Sequence, residues 1–150
     1  MKIAIIGVGA MGSIYAGMLS EAGHEVWAID PWAAHVAAIN AEGLRLSGAS
    51  GDRVINTLQA SVDISQVGRC DICVIATKAS GVAAAAQAIA PIIGPDCLVL
   101  THSKWLGCRS APCPAYADAQ RIARGCRWLW GIDERPRTRP SQRDEAYPYR

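Results

Sequence analysis

The chain has 150 residues, 51% of them hydrophobic, and a net charge of +2, which is the profile of one soluble globular domain rather than a disordered or strongly charged chain. No apolar run approaches the ~18 residues of a membrane span; the longest, 81–94, is alanine-rich and carries Gln87 and Pro91. The chain opens directly into an apolar strand without the basic, apolar and small-residue order of a secretory signal, so the expectation is a cytoplasmic protein without membrane association, whose six cysteines need not form disulfides.

The first thirty residues carry the clearest pattern. Lys2–Ile6 reads as an apolar strand, followed by the turn Gly7-Val8-Gly9-Ala10-Met11-Gly12, a helix over 13–23, and a second strand, Glu25–Asp30. A G-x-G-x-x-G between strand and helix is the phosphate grip of a dinucleotide site. Gly7 permits the sharp turn, Gly9 lets a pyrophosphate approach the backbone, and Gly12 lets the helix pack close to the sheet. The N–H groups and the positive dipole end of the helix complement the anion. Ile14, Met18 and Leu19 share one helical face and are expected to point inward, with Gly23 closing the helix. Asp30 lies eighteen positions after Gly12, where a carboxylate can accept the hydroxyls of an adenine-side ribose. A carboxylate repels a 2′-phosphate, so Asp30 leans toward NAD over NADP.

A second helix is expected over 31–42, with Pro31 near its first turn, Val36 and Ile39 inward and Gly43 at its end. His35 reads as an exposed helical histidine without a partner, and His24 as a turn residue. Leu44–Thr57 reads as short strands around a Gly/Ser/Asp turn. Asp71–Ala76 is a buried strand, 79–93 an alanine-rich helix, Gly94-Pro95-Asp96 a turn and Cys97–Leu100 the next strand. Strands alternating with helices predict an α/β, Rossmann-like, doubly wound and mostly parallel sheet. Cys70 and Cys73 form a Cys-x-x-Cys whose odd spacing along a strand sends the side chains to opposite faces, against a redox or metal pair. Lys78 follows its strand immediately and so stands at the carboxyl edge of the sheet, where open α/β sheets bind ligands. Its ammonium can meet a phosphate, a hydroxyl or a substrate carboxylate.

Four stretches together resemble one family. Met1–Gly12, the strand ending at Asp30, Asn40-Ala-Glu-Gly-Leu-Arg-Leu, and Ala76-Thr77-Lys78-Ala79 look like the N-terminal domain of ketopantoate reductases (2-dehydropantoate 2-reductases) over residues 1–101. The resemblance implies hydride delivery from NADPH to the keto group of 2-dehydropantoate. It implies cofactor phosphates at Gly7–Gly12 and a cofactor- or substrate-facing Lys78. Asp30 departs from what an NADP-specific member favours.

The resemblance stops where the composition changes. Residues 1–101 carry five basic and eight acidic side chains, whereas 102–150 carry ten basic, nine of them Arg, and five acidic. Three of the five Trp and five of the eight Pro also fall in the last third. After Leu100 the family expects a Gln-Asn-Gly loop whose Asn contacts cofactor and substrate; this chain has Ser103-Lys104-Trp105-Leu106-Gly107-Cys108. Back-translation of that segment shifted by one nucleotide permits Gln-Asn-Gly-Leu-Gly-Ala, and the same shift of Trp128–Arg150 permits a later family-like segment. A reading-frame change near Thr101–His102 is therefore expected. Residues 102–150 are expected to be an irregular Arg/Pro/Trp-rich tail, with a short helix at Arg121–Trp130 and no nucleic-acid motif.

The sequence thus predicts a truncated reductase-like chain that binds a dinucleotide at Gly7, Val8, Gly9, Ala10, Met11, Gly12, Asp30 and Lys78. It offers no residue for proton donation and no metal site. The alternatives are a nonenzymatic nucleotide-binding module with a genuine basic tail, or a hydroxyisobutyrate- or glycerol-phosphate-type dehydrogenase fragment.

Overall fold

The central strands Lys2–Ile6, Glu25–Ile29 and Cys70–Ile75 are short and largely apolar, and after each the chain leaves the sheet for a helix. The computed structural model describes residues 1–48 and 51–101 and the backbone of 127–130. The strands are β1 (Lys2–Ile6), β2 (Glu25–Ile29), β3 (Leu44–Leu46), β4 (Arg53–Ile55), β5 (Gln59–Ser61), β6 (Cys70–Ile75), β7 (Ile93–Thr101) and β8 (Arg127–Trp130). The helices are α1 (Ala10–Glu21), α2 (Ala33–Glu42) and α3 (Val82–Ala88). Six strands form one parallel sheet in the order β5-β2-β1-β6-β7-β8, and β3 and β4 form the expected separate antiparallel hairpin. The Rossmann-like architecture predicted from the alternation is the one observed. No helix among the described residues is long and apolar enough to cross a membrane.

Alternating side chains of β1 and β6 feed two cores, as the period of a strand requires. Ile3, Ile5 and Val74 join Ala16 of α1, Ile39 of α2 and the hairpin residues Leu44, Leu46 and Ile55 on one face. Ala4, Ile6, Cys73 and Ile75 join Ala85, Ala86 and Ile89 on the other. The inward face of α1 differs from the expectation. Its buried residues are Gly12, Ala16, Gly17 and Ser20, whereas Ile14 and Met18 are exposed and Leu19 is half-buried. The reason is distance. A Cβ on Gly17 would stand 2.6 Å from both Leu46 Cδ1 and Ile55 Cδ1, so only small residues fit between α1 and the hairpin. The Ser20 hydroxyl meets the Thr57 hydroxyl at 2.6 Å and Arg53 pairs with Glu21 at 2.7 Å on the same contact.

Strand β5 is an element that the sequence did not announce. Gln-Ala-Ser is too short for a periodic signal, and its place is set from outside. It pairs in parallel with β2 on one side. From α2, the Asn40 side-chain amide donates to the Ala60 carbonyl at 2.9 Å and accepts from the Ala60 N–H at 3.2 Å, standing in for a further strand. Replacing Asn40 by Ala removes both bonds. It is expected to cost about 1–2 kcal/mol, read as a lower urea midpoint, with faster amide exchange at Ala60.

The second half of the sheet departs from prediction at three places. The helix expected over 79–93 is a 3₁₀ turn (Ala79–Gly81) followed by α3, which ends at Ala88. Pro91 has no N–H for the Gln87 carbonyl and clashes with a continuing helix; the Ala90 N–H closes a tighter turn onto that carbonyl at 3.3 Å. Gly94-Pro95-Asp96 is not a turn before the strand but an excursion within β7. β6 and β7 pair at Cys70↔Ile93 and again at Ile72↔Leu98, so two steps of β6 span five of β7. Proline is tolerated in such an irregularity because no ladder bond is asked of it. Finally, Arg127–Trp130, expected to end a short helix, is strand β8, parallel to β7. Trp128, Leu129 and Trp130 have strand propensity, and an open β7 edge is a template for it. The rest of the expected helix, 121–126, lies outside the described residues, as does most of the tail.

The same irregularity corrects the cysteine reading. Cys70 and Cys73 pack into one core rather than onto opposite faces, because the register shifts between Cys70 and Ile72. The close neighbour of Cys70 is Cys97 of β7, Sγ to Sγ 3.9 Å. Neither Cys70, Cys73 nor Cys97 is in a disulfide. Burial, and then the Cys97 sulfur, push the Cys70 thiol up to about 12. The unfolded thiol ionises near 9.0, so on raising the pH the unfolded chain loses this proton first. This group's contribution to stability is fully present below pH 9 and is lost between 9 and about 12. Urea unfolding across that window is expected to show a steeper loss for the native chain than for Cys70→Ala.

Candidate functional site

The sheet reverses its direction of growth between β1 and β6. From β1 the chain builds outward to β2 and β5; from β6 it builds the other way to β7 and β8. At such a point the connections leave in opposite directions and open a crevice beyond the carboxyl ends. The backbone ties the two sides of this crevice together. Gly7 N–H donates to the Ile29 carbonyl and Ala76 N–H to the Ile6 carbonyl, each at 2.8 Å.

The glycine turn occupies one side of the crevice, and its residues divide by exposure. Gly7, Val8 and Gly12 are its buried base; Gly9, Ala10 and Met11 are its exposed crest. Gly7 has φ +92°, and a Cβ there would lie 2.9 Å from Thr77 Cγ2. A Cβ on Gly12 would collide with the Gly7 carbonyl oxygen and reach within 3.5 Å of Ala76 Cβ. Gly12 therefore serves the turn's own closure as much as the approach of α1 to the sheet. Around Gly9 a Cβ would meet nothing within 4 Å. That open space adjoins the start of α1, whose first backbone bond runs from Ser13 N–H to the Gly9 carbonyl at 2.8 Å. The N–H groups of Ala10, Met11 and Gly12 precede it and are left for water or a ligand.

One peptide unit anchors the turn. Val8 N–H donates to Asp30 Oδ2 at 2.8 Å, and the Val8 carbonyl accepts from His35 Nε2 at 3.0 Å and from the Ser13 hydroxyl at 3.2 Å. A carbonyl only accepts, so His35 holds its proton on Nε2 in this contact. Asp30 Oδ1 accepts the Trp32 N–H at 2.9 Å. Asp30 is thus part of the turn's scaffold, and each carboxylate oxygen retains a second lone pair. His35 is half-buried, holds the Val8 carbonyl and stacks on the Trp32 ring, with centroids 5.4 Å apart at 25°. That corrects its reading as an unpartnered surface histidine. Its position two residues into a helix that starts just past Asp30 was the available signal.

Across the crevice stand Thr77 and Lys78. Lys78 is exposed immediately beyond β6, and two residues of chain connect that strand's end to it. Thr77 was not singled out by the sequence. Its methyl lies against Gly7, and its hydroxyl is buried without a hydrogen-bond partner among the described residues. The fold therefore gathers Gly7–Gly12, Asp30 and Lys78 at one sheet edge. The open cradle at Gly9, the free helix amides and a strand-end carboxylate fit the pyrophosphate and ribose of a dinucleotide.

An open parallel sheet with a glycine turn and a strand-end carboxylate at its switch point defines a Rossmann-like α/β domain. Comparison with known proteins narrows this class. The family model described as ketopantoate reductase PanE/ApbA matches residues 3–136, and the chain belongs to that family. The 2-dehydropantoate 2-reductase of Lactococcus lactis is 37% identical over 109 residues, covering 71% of this chain and 35% of that protein. A PanE/ApbA family ketopantoate reductase from Ralstonia eutropha superposes with a TM-score of 0.71 at 36% identity, over 85% of this chain and 40% of that one. A D-mandelate dehydrogenase, solved as a ternary structure with NADH and anilino(oxo)acetate, gives 0.68 at 31% identity, over 82% and 37%. The chain spans about a third of the length of the curated relatives it matches. The family match also runs past Thr101, where the sequence resemblance was expected to end.

Gly12 and Gly9 should separate turn closure from ligand access. Gly12→Ala is expected to destabilise the fold by about 1–3 kcal/mol through overpacking. Gly9→Ala should cost less than about 1 kcal/mol, yet weaken nucleotide binding. Thermal unfolding and NADH titration of both variants check this.

Proposed function

We propose that this chain binds a reduced nicotinamide dinucleotide across Gly7–Gly12 and prefers NADH to NADPH. The observation that carries the reading is Asp30. Its carboxylate holds the Val8 N–H at 2.8 Å, so a negative charge is built into the base of the turn where the adenine-side ribose would lie. A 2′-phosphate there would face that charge without a described Lys or Arg beside Asp30 to offset it. In this reading Ala10, Met11 and Gly12 offer N–H groups to the pyrophosphate. Asp30 accepts ribose hydroxyls through its remaining lone pairs, and Lys78 faces the nicotinamide-side hydroxyls or the carboxylate of a 2-oxoacid. The bound dinucleotide would supply hydride.

The reaction class that goes with the family name is reduction of 2-dehydropantoate to pantoate. As translated, the chain carries Ser103-Lys104-Trp105 where the family's Asn-bearing loop is expected. It provides no identified proton donor for the forming alkoxide, and a positioned acid contributes ~10²–10⁴-fold to such a step. We therefore propose cofactor binding without ordinary turnover, and a changed reading frame after about residue 101. Titration is expected to show NADH fluorescence enhancement at least tenfold tighter than for NADPH. Asp30→Asn should narrow that gap, and 2-dehydropantoate should not be consumed. Turnover at ordinary enzymatic rates would sink the proposal, and the nucleotide sequence across codons 100–108 decides the frame.

A second reading keeps the tail as a genuine part of a nonenzymatic nucleotide-binding module. Strand β8 favours it, because Arg127–Trp130 continues the sheet in register with Leu98–Thr101. Limited proteolysis distinguishes the two: protection of 127–130 supports this reading, and rapid loss of everything after Thr101 supports the first.

A further inference from the structure

Cys70 of β6 and Cys97 of β7 set two thiols side by side, Sγ to Sγ 3.9 Å, and the proposed dinucleotide site makes no use of them. Both side chains belong to one core, Cys70 being 7% and Cys97 2% exposed. The strands that carry them are hydrogen-bonded neighbours. Such strands run about 4.8 Å apart, within the ~4.4–6.8 Å between Cα atoms that a disulfide bridges. Turning the side chains about their Cα–Cβ bonds is the motion that remains, to bring the sulfurs to a bonding distance of about 2.05 Å.

The pair sits at a weak point of the sheet. Regular pairing of β6 with β7 is interrupted between Cys70 and Ile72, and Cys97 ends the excursion of β7 at that interruption. Arg69 and Asp71, on either side of Cys70, are exposed, as are Pro95 and Asp96 just before Cys97. Cys73, by contrast, is wholly buried and lies where the ladder is regular, opposite Val99. A segment with few ladder bonds opens locally at lower cost than the regular sheet.

We infer that Cys70 and Cys97 form a reversible disulfide across β6 and β7, a redox clip on the crossover that carries Lys78 and α3. The oxidant is a small-molecule disulfide such as oxidised glutathione. The Cys70 thiolate, as the more exposed of the two, attacks one glutathione sulfur, breaks the S–S bond and releases one glutathione. The Cys97 thiolate then attacks the Cys70 sulfur of the mixed disulfide and releases the second. The two thiol protons pass through solvent to the two glutathione sulfurs, and two electrons reduce the glutathione disulfide as the protein is oxidised. Burial keeps the Cys70 thiol protonated at neutral pH, so the attack waits for the excursion of β7 to open. The two residues are 27 positions apart, and a bridge over that length constrains the unfolded chain, which makes the oxidised form the more stable one.

The full chain is held in glutathione buffers of graded oxidised-to-reduced ratio. Reduced native protein and protein refolded out of urea are the two starting points, and bridged peptides are mapped by mass spectrometry after alkylation of the remaining thiols. Both are expected to give a Cys70–Cys97 peptide pair lacking two hydrogens, reversed by dithiothreitol, with the urea midpoint raised by about 1 M. Cys70→Ala and Cys97→Ala should each abolish the bridge and the shift. Replacing Cys108, Cys113 and Cys126 together by Ser should leave both in place. Cys70 and Cys97 still open to alkylation at the most oxidising ratio overturn the inference, as does pairing of either with another cysteine. A bridge that forms only on refolding, or one that leaves the urea midpoint unmoved, overturns it as well. The mapping is made on the native chain, so it decides the matter even where a variant fails to fold.

Discussion

The hydrogen bond from Val8 N–H to Asp30 Oδ2 is the constraint on which the edge of this sheet depends. It joins the turn after β1 to the end of β2, and a carboxylate acceptor makes it stronger than a neutral contact. With the Val8 carbonyl taken by His35 and Ser13, the whole peptide unit is fixed in orientation. Gly7 then turns at positive φ against Thr77, and Gly12 closes over the Gly7 carbonyl in the first turn of α1. The exposed crest of the glycine turn is in this sense a by-product of satisfying one buried peptide.

A second constraint is the lack of room beneath α1. Gly12, Ala16, Gly17 and Ser20 form its inner face because the Gly7 turn, Ala76 just past β6 and the β3–β4 hairpin leave no room there for larger side chains. Large residues are displaced outward, leaving Met11, Ile14 and Met18 exposed along one side. The opposite face is built conventionally, with Ile89 and Ile92 filling the space over Ala4, Cys73 and Ile75.

How far the sequence could be read follows from how local each signal was. The strand–glycine–helix–strand unit was legible because its chemistry is contained in thirty consecutive residues. Val36 and Ile39, the hairpin and the apolar strand β6 were legible for the same reason. Hydrophobicity does not predict the inward face of α1, because the room available is set by Leu46 and Ile55, far along the chain. β5 was invisible because three residues carry no period and its bonds come from β2 and Asn40. The faces of Cys70 and Cys73 were misassigned because a register shift against β7 breaks the alternation that spacing alone assumes. His35 seemed idle because its partner, Val8, is 27 positions away.

The sequence by itself determined the Rossmann-like class, the glycine turn, the carboxylate at the end of β2 and the kinship with ketopantoate reductases. Each of these is a short-range pattern, fixed by backbone conformational limits and strand or helix period. Only the tertiary structure decided what those residues touch. It made Asp30 a clamp on Val8, recruited His35 and Trp32 to the same edge, put Thr77 beneath Gly7 and set Cys70 against Cys97. It also gave Arg127–Trp130 a strand's place beside β7. These depend on which segments a parallel sheet brings side by side, and that is settled by the packing of its two faces rather than by any one stretch of chain.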